Sequence, residues 1–373
     1  MNGSLDFVIS GVGAVTPVGL DAPASCAALR AGIARMLELE SGTVDSQLLE
    51  KQPAIGGRVP LEWFEGGPTE PEWPGHERFE LPEPPPPEAY VEEGVERLAR
   101  LAGPAASEAW RNAKLEGQKG DGIGLYLGLG EDEDAGPVVD NIIRAIGSRL
   151  SPVVVRSEGR AAGLVALDSA IGDLSAGRIR GALVGGVDSL IRAPVLERLE
   201  SAGRLQSGTN PHGVIPGEAA AFLFVESKQQ AQSRGASAAV RIVGSSTAEE
   251  PTVDTDEPNQ AAGLTKVLQA TCKDRPEMQV MPLVVCDLNG DRYRGMEWGL
   301  ATARTFRRFH EAREIWHPAD CIGDCGAASG TLNAVWACGA FERGYAMRDH
   351  AVVWGASDGK ARAALLLAPL ATG

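Results

Sequence analysis

The chain has 373 residues, 43% of them hydrophobic, 23% charged and only 5% aromatic, with 46 glycines and 24 prolines. That is enough chain to bury a large core in two or three domains. The formal net charge of -15 excludes a nucleic-acid surface, which needs a basic footprint, and it also weighs against docking an acidic carrier protein.

No segment reaches transmembrane length, and the opening MNGSLDFVISGVG has neither a basic start nor a long apolar run. Neither a membrane span nor a leader is expected. Cys26, Cys272, Cys286, Cys321, Cys325 and Cys338 are scattered, with no CxxC pair. A reducing cytoplasm, no zinc site and no bound cofactor are the plain expectation.

Strand and helix signals alternate along the chain. The apolar run Phe7 to Val12 predicts a strand, and Pro23 to Ala31 a helix. Residues 65 to 88, EGGPTEPEWPGHERFELPEPPPPE, are too rich in proline and glutamate to pack a core and predict a surface insert. A helix from Tyr90 to Leu115 is expected to break at Gly103-Pro104. A strand (Gly122 to Leu127), a helix (Val138 to Leu150) and a short strand (Val153 to Val155) follow.

One pattern then occurs twice. GRAAGLVALDSAIGDLSAGRIRGALVGGVDS runs from Gly159 to Ser189, and GAASGTLNAVWACGAFERGYAMRDHAVVWGASDG from Gly326 to Gly359. Each is a tight Gly/Ala turn, an Ala-rich helix, a basic connection, a strand and a glycine turn. Each precedes a very apolar strand, Ala219 to Val225 or Ala363 to Ala368. Repetition at about half the chain length predicts internal duplication, since solenoids need shorter periods. Helices so rich in small residues belong at the centre, where backbones approach closely. The expectation is an α/β protein in five layers, with halves at residues 1–236, which carry the insert, and 237–373.

Five segments carry a resemblance. FVISGVGAVTPVG (Phe7 to Gly19), GALVGGVDSL (Gly181 to Leu190), GVIPGEAAAFLFVE (Gly213 to Glu226), IGDCGAASG (Ile322 to Gly330) and VVWGASDGKARAALLL (Val352 to Leu367) resemble, in order, the motifs of β-ketoacyl-acyl-carrier-protein synthases. The likeness spans nearly the whole chain and implies the thiolase-like α-β-α-β-α fold. In that family a helix-start cysteine is the nucleophile, two histidines stabilise the enolate and oxyanion, and a lysine supports them. By the resemblance, a gap-free count back from Gly186 puts Arg160 at the nucleophile position. Asp324 falls on the second histidine and Ala319 on the lysine. Asp287 is at the first histidine, or Asn289 if the turn is shifted. Val214 stands for the gating phenylalanine, and GFGG has become GASDG. Only about thirty residues separate Leu127 from Arg160, where the family carries the cap that lines its acyl tunnel.

Arg160 cannot act as a nucleophile, because guanidinium stays protonated. Buried at a helix start, it must be paired, and Asp324 and Asp287 are the carboxylates expected to do so. Either this is an ion network plugging a dead pocket, or Arg160 holds a small anionic ligand. Cys286, Cys321 and Cys325 lie beside motif positions and are expected to be small buried hydrophobes rather than displaced nucleophiles. His212 and His317 flank prolines and are expected in solvated loops, and Cys321 and Cys325 with His317 make a poor metal set. Glu218 is expected to be structural.

The resemblance therefore implies a catalytically inactive relative kept as a partner subunit or scaffold, as in the chain-length-factor type, which lacks the cysteine and pairs with an active synthase. The rivals are a repurposed enzyme or ligand-binding protein built on Arg160, Asp287 and Asp324, and a carrier-protein-dependent acyltransferase. The last needs a cysteine and two histidines within reach of each other, which the chain hardly supplies. The implied partners are a second copy or an active ketosynthase, joined through the strand Pro152 to Val155, and acyl-carrier protein.

Overall fold

The structure, a computed structural model, describes residues 7–39, 54–61, 94–131, 133–207, 210–272, 283–309 and 314–370. The Pro/Glu-rich insert expected at residues 65 to 88 lies outside the described residues.

Helix and strand boundaries follow local chemistry. Strand β1 (Phe7–Val15) leads into α1 (Ala22–Ala31), whose start is capped by Asp21 accepting from the Ala24 amide at 2.7 Å. A small hairpin, β2 (Leu37–Leu39) with β3 (Ala54–Gly56), precedes α2 (Val95–Asn112). Then come β4 (Ile123–Gly128), α3 (Ala135–Ile146), β5 (Val153–Arg156), α4 (Ala162–Ser175), β6 (Gly181–Ser189), α5 (Ala193–Ser201), β7 (Glu218–Ser227) and α6 (Lys228–Ser233). The second half runs β8 (Val240–Glu249), α7 (Ala262–Thr271), β9 (Leu283–Cys286), α8 (Arg292–Phe309), β10 (Ile315–Trp316), α9 (Ala319–Ile322), α10 (Ser329–Glu342), β11 (Ala351–Ala356) and β12 (Ala361–Pro369).

Two expectations are corrected. Helix α2 runs unbroken through Pro104, because its apolar face, including Leu98, Leu101, Ala105 and Ala109, is buried against the sheet and α3. That burial outweighs the hydrogen bond the proline cannot donate. Helix α3 starts three residues earlier than the periodicity suggests, at a cap where Asp134 accepts from the Gly136 amide, and it stops at Ile146 rather than Leu150. The residue after Ile146 is Gly147 at φ 68°, a left-handed C-cap that ends the helix.

The strand order is β10-β9-β11-β12-β8-β1-β7-β6-β4-β5. Outward from the middle it reads twice the same way, as β1-β7-β6-β4-β5 and as β8-β12-β11-β9-β10. Senses match too. β4 pairs in parallel with β5 and β6, as β9 does with β10 and β11, and the remaining pairings within each set are antiparallel. Among the described residues the two sets of strands pair only at Val8 opposite Arg241 and Ile9 opposite Val240.

Alternation of side chains separates five layers. Leu125, Leu183, Phe222 and Phe224 face α2 and α3, while their neighbours Tyr126, Val184, Leu223 and Val225 face the middle of the molecule. In the other set, Val284, Val352, Trp354 and Leu366 face α7, whereas Val285, Val353 and Leu365 face the same middle. Helices α4 and α10 fill that middle layer. They interlock: a Cβ on Gly163 would lie 2.9 Å from Thr331 Cγ2, and one on Gly330 would lie 2.7 Å from Leu164 Cγ. Each helix thus has a notch for a side chain of the other. Among the described residues no helix is long and apolar enough to cross a membrane.

Candidate functional site

Both central helices open with a single 3-10 turn, Gly159–Ala161 before α4 and Gly326–Ala328 before α10. Arg160 sits in the first turn and is 6% exposed. Its Nε donates to Asp324 Oδ2 at 2.6 Å and its Nη2 lies 2.5 Å from the same oxygen. Asp324 in turn caps the second opening, accepting from the Gly326 amide at 2.9 Å, and takes a further hydrogen bond from Asn289 Nδ2. Burial works to raise its pKa, but Arg160 overrides that and holds the carboxyl below its ordinary range. Arg160 is opposed by burial in the same way, and the charges of Asp324 and Asp358 keep it firmly protonated.

The expected second partner, Asp287, is placed differently. It accepts from the Ala356 amide at 2.8 Å and faces Arg294 Nη1 at 3.4 Å, and burial pushes its pKa up. The chain turns after β9 so that Asn289, two residues on, reaches Asp324 instead. Asp287, Asn289, Ala319 and Asp324 nevertheless surround one small cavity of about 10 Å3, room for about one water and no organic group.

Asp358, in the turn between β11 and β12, completes the cluster. Arg160 Nη1 lies 2.9 Å from its Oδ1, Arg294 Nη2 donates to that oxygen at 2.7 Å, and Arg204 donates to both oxygens at 3.0 Å. Arg204 also binds Asp291, Nε to Oδ2 at 2.9 Å. Sequence reasoning assigned no role to Asp358, Arg204 or Arg294. The available signal was charge out of place: GASDG puts an aspartate in the turn between two strands that are mainly apolar.

On its outer side Arg160 borders a cleft of about 690 Å3, with α5 as one wall. Arg192, also on the cleft, pairs with Glu133 and lies 3.4 Å from Asp188. Burial pushes the Asp188 carboxyl up to about 6, although it accepts from the Ala327 and Ser189 amides at 3.0 and 2.8 Å. Val214 is buried.

The remaining candidates fall into place by burial. All six cysteines are free and buried. Burial pushes the Cys286 and Cys321 thiols up, and Cys325 is raised well above its ordinary value by burial and then by Asp324. None of these three is held as a thiolate. His212 is exposed, and His317 faces Asp320, Nδ1 to Oδ2 at 2.9 Å. Among the described residues no three His, Cys, Asp or Glu side chains gather as metal ligands. Glu218 is fully buried, accepting from Arg97, from the Val59 amide at 2.7 Å and from Ser189 Oγ at 2.8 Å. It ties three segments together, a structural task.

The duplicated five-layer architecture, with two buried helix starts facing one another, is that of the thiolase-like ketosynthases. A chain of the AntDE:AntF complex, a type II PKS acyl-carrier protein in complex with its ketosynthase bound to the hexaketide, superposes with a TM-score of 0.78 at 16% identity, covering 98% of this chain and 99% of that one. A β-ketoacyl synthase from Burkholderia phymatum STM815 gives 0.74 at 18% identity, covering 98% and 100%. A ketosynthase from module 6 of the bacillaene synthase of Bacillus subtilis 168 gives 0.73 at 15%, covering 98% and 72%. No sequence-family profile and no curated protein matches the chain. At such identities the likeness defines the fold.

Proposed function

We propose that this is a β-ketoacyl-synthase-like protein without acyl-transfer chemistry, serving as a partner subunit or scaffold. One observation carries the reading: the start of α4, where the ketosynthase resemblance places a nucleophilic cysteine, presents a buried guanidinium locked between Asp324 and Asp358. Without a thiolate no acyl-enzyme forms, and Asp287 (or Asn289, if the turn is shifted), Ala319 and Asp324 stand where the resemblance puts the histidines and lysine that would stabilise an enolate. The small cavity behind Asp324 offers no room for an acyl group. The ion cluster keeps the fold's centre filled while its chemistry is gone.

Purified protein is expected neither to take up an acyl group from acyl-CoA or acyl-carrier protein nor to condense it with malonyl units. Intact-mass spectrometry checks this; a stoichiometric acyl adduct on any cysteine would overturn the reading. Arg160→Cys alone is expected to leave the protein inactive, since the other positions stay altered.

The partner in this reading is a second copy or an active ketosynthase, joined along β5, with the protein in the cytoplasm. Acyl-carrier protein is a further candidate, supported by the solved complex of a similar chain and opposed by the acidic net charge. We place the division between the duplicated halves at residues 236 and 237, between α6 and β8. A second reading, ligand binding, is favoured by the cleft that stays open beside Arg160.

A further inference from the structure

Three guanidinium groups converge on one carboxylate at the floor of the cleft. Arg160 comes from the opening of α4, Arg204 from the segment after α5 and Arg294 from α8, and all three lie within 3.0 Å of Asp358. Each of the three also has a carboxylate of its own, Asp324 for Arg160, Asp291 for Arg204 and Asp287 for Arg294, so Asp358 is the acid they share, and their forks meet its two oxygens from several directions. Arg160 and Arg294 are buried, so their orientation is fixed by the fold. Asp358 is different: its side chain is 43% exposed. It faces the cleft from a four-residue turn, held by Ser357, whose amide donates to Ala361 O at 3.0 Å and whose Oγ accepts from the Ala161 amide at 3.0 Å. The backbone is thus pinned, while a rotation about the Asp358 side chain alone would carry its carboxylate out of the cluster.

What lies next to the cluster tells what could replace that carboxylate. The cleft wall also carries the apolar side chains of Leu190, Val195 and Leu199, which are 7%, 6% and 4% exposed. Elsewhere on the lining Arg192 is paired with Glu133, while Arg198, Glu131 and Asp254 stand exposed. A large polyanion would meet those carboxylates, whereas a small head group with an apolar body would not.

We propose that Arg160, Arg204 and Arg294 form a binding site for the carboxylate of a small aliphatic acid, which Asp358 occupies until the ligand displaces it. The acid's head takes the place of the Asp358 carboxylate, and its hydrocarbon lies along Leu190, Val195 and Leu199. Asp358 then acts as a built-in competitor, setting a threshold of ligand concentration. The inference rests on the ligand-binding reading of the cleft and stands apart from the non-catalytic one, which acyl uptake tests separately.

The test is a calorimetric titration with sodium hexanoate, against acetate and chloride at constant ionic strength. Wild-type protein is expected to bind hexanoate more tightly than acetate and to ignore chloride. Asp358→Ala, freed of its internal competitor, is expected to bind hexanoate about ten-fold or more tightly than wild type, the worth of one charged contact. Adding Arg204→Met should abolish that gain. Hexanoate binding that Asp358→Ala leaves unchanged, or binding no different from chloride, overturns the proposal. Should Asp358→Ala fail to fold, Arg204→Met alone decides: it leaves Asp358 paired with Arg160 and Arg294, and undiminished hexanoate binding by it also overturns the site. Hexanoate bound with full affinity by Arg204→Met would place the ligand elsewhere in the cleft, and the ligand-binding reading itself falls only if the wild type binds neither acid.

Discussion

Arg160 is held by charge on every polar edge, so removing it strands carboxylates rather than merely deleting contacts. Arg160→Ala is expected to destabilise the protein by about 3 to 5 kcal/mol, because Asp324 would stay buried with only Asn289 and a backbone amide. The double change Arg160→Met with Asp324→Leu removes both charges, and Asp358 keeps Arg204 and Arg294. Its cost should fall below the sum of the single changes, measured by urea denaturation; strict additivity would refute the coupling. A second residue predicts pH dependence. Glu108, on α2, accepts from the Ala14 amide at 3.0 Å and the Ala22 amide at 3.0 and 3.1 Å. Burial lifts its carboxyl from an ordinary 4.5 to about 7. Between those values the folded state holds a proton that the unfolded chain has released, so the stabilisation present at low pH is lost as pH rises towards 7. Glu108→Gln should flatten the decline of Tm across that window; a decline of unchanged slope would remove Glu108 as its source.

At the scale of elements, β5 closes one end of the strand order and, among the described residues, pairs with β4 alone. Its Val153 is 42% exposed, and an apolar edge strand invites another strand. We therefore expect a dimer through this edge, with Val153→Lys shifting it towards monomer, as light scattering at micromolar concentration would show. A well-behaved monomer of the unaltered chain contradicts it. Elements also show how far the sequence could be read. The duplicated Gly/Ala pattern placed α4 and α10 at the centre, because small residues at helical spacing have no other use in a core. From that placement the pairing of Arg160 with Asp324 followed. Asp358, Arg204 and Arg294 were not legible, since side-chain direction at three separate places in the chain decides which carboxylate a guanidinium reaches. Asp287 was misplaced for a similar reason: its side chain turns toward Arg294 and the Ala356 amide rather than Arg160. Pro104 misled because a local rule about helices gave way to burial against the sheet.

For the whole molecule, the thin join between β1 and β8 has a mechanical meaning. Two register pairs cannot transmit much strain from one set of five strands to the other. The notched crossing of α4 and α10 can, since neither helix slides without lifting a side chain out of the opposing glycine notch. Strain between the halves therefore has a stiffer route through this crossing than through the sheet join, as torque passes through an axle rather than the wheels. Arg160 and Asp324 stand side by side where the two helices begin, so their ion pair works as the locking pin of that crossing.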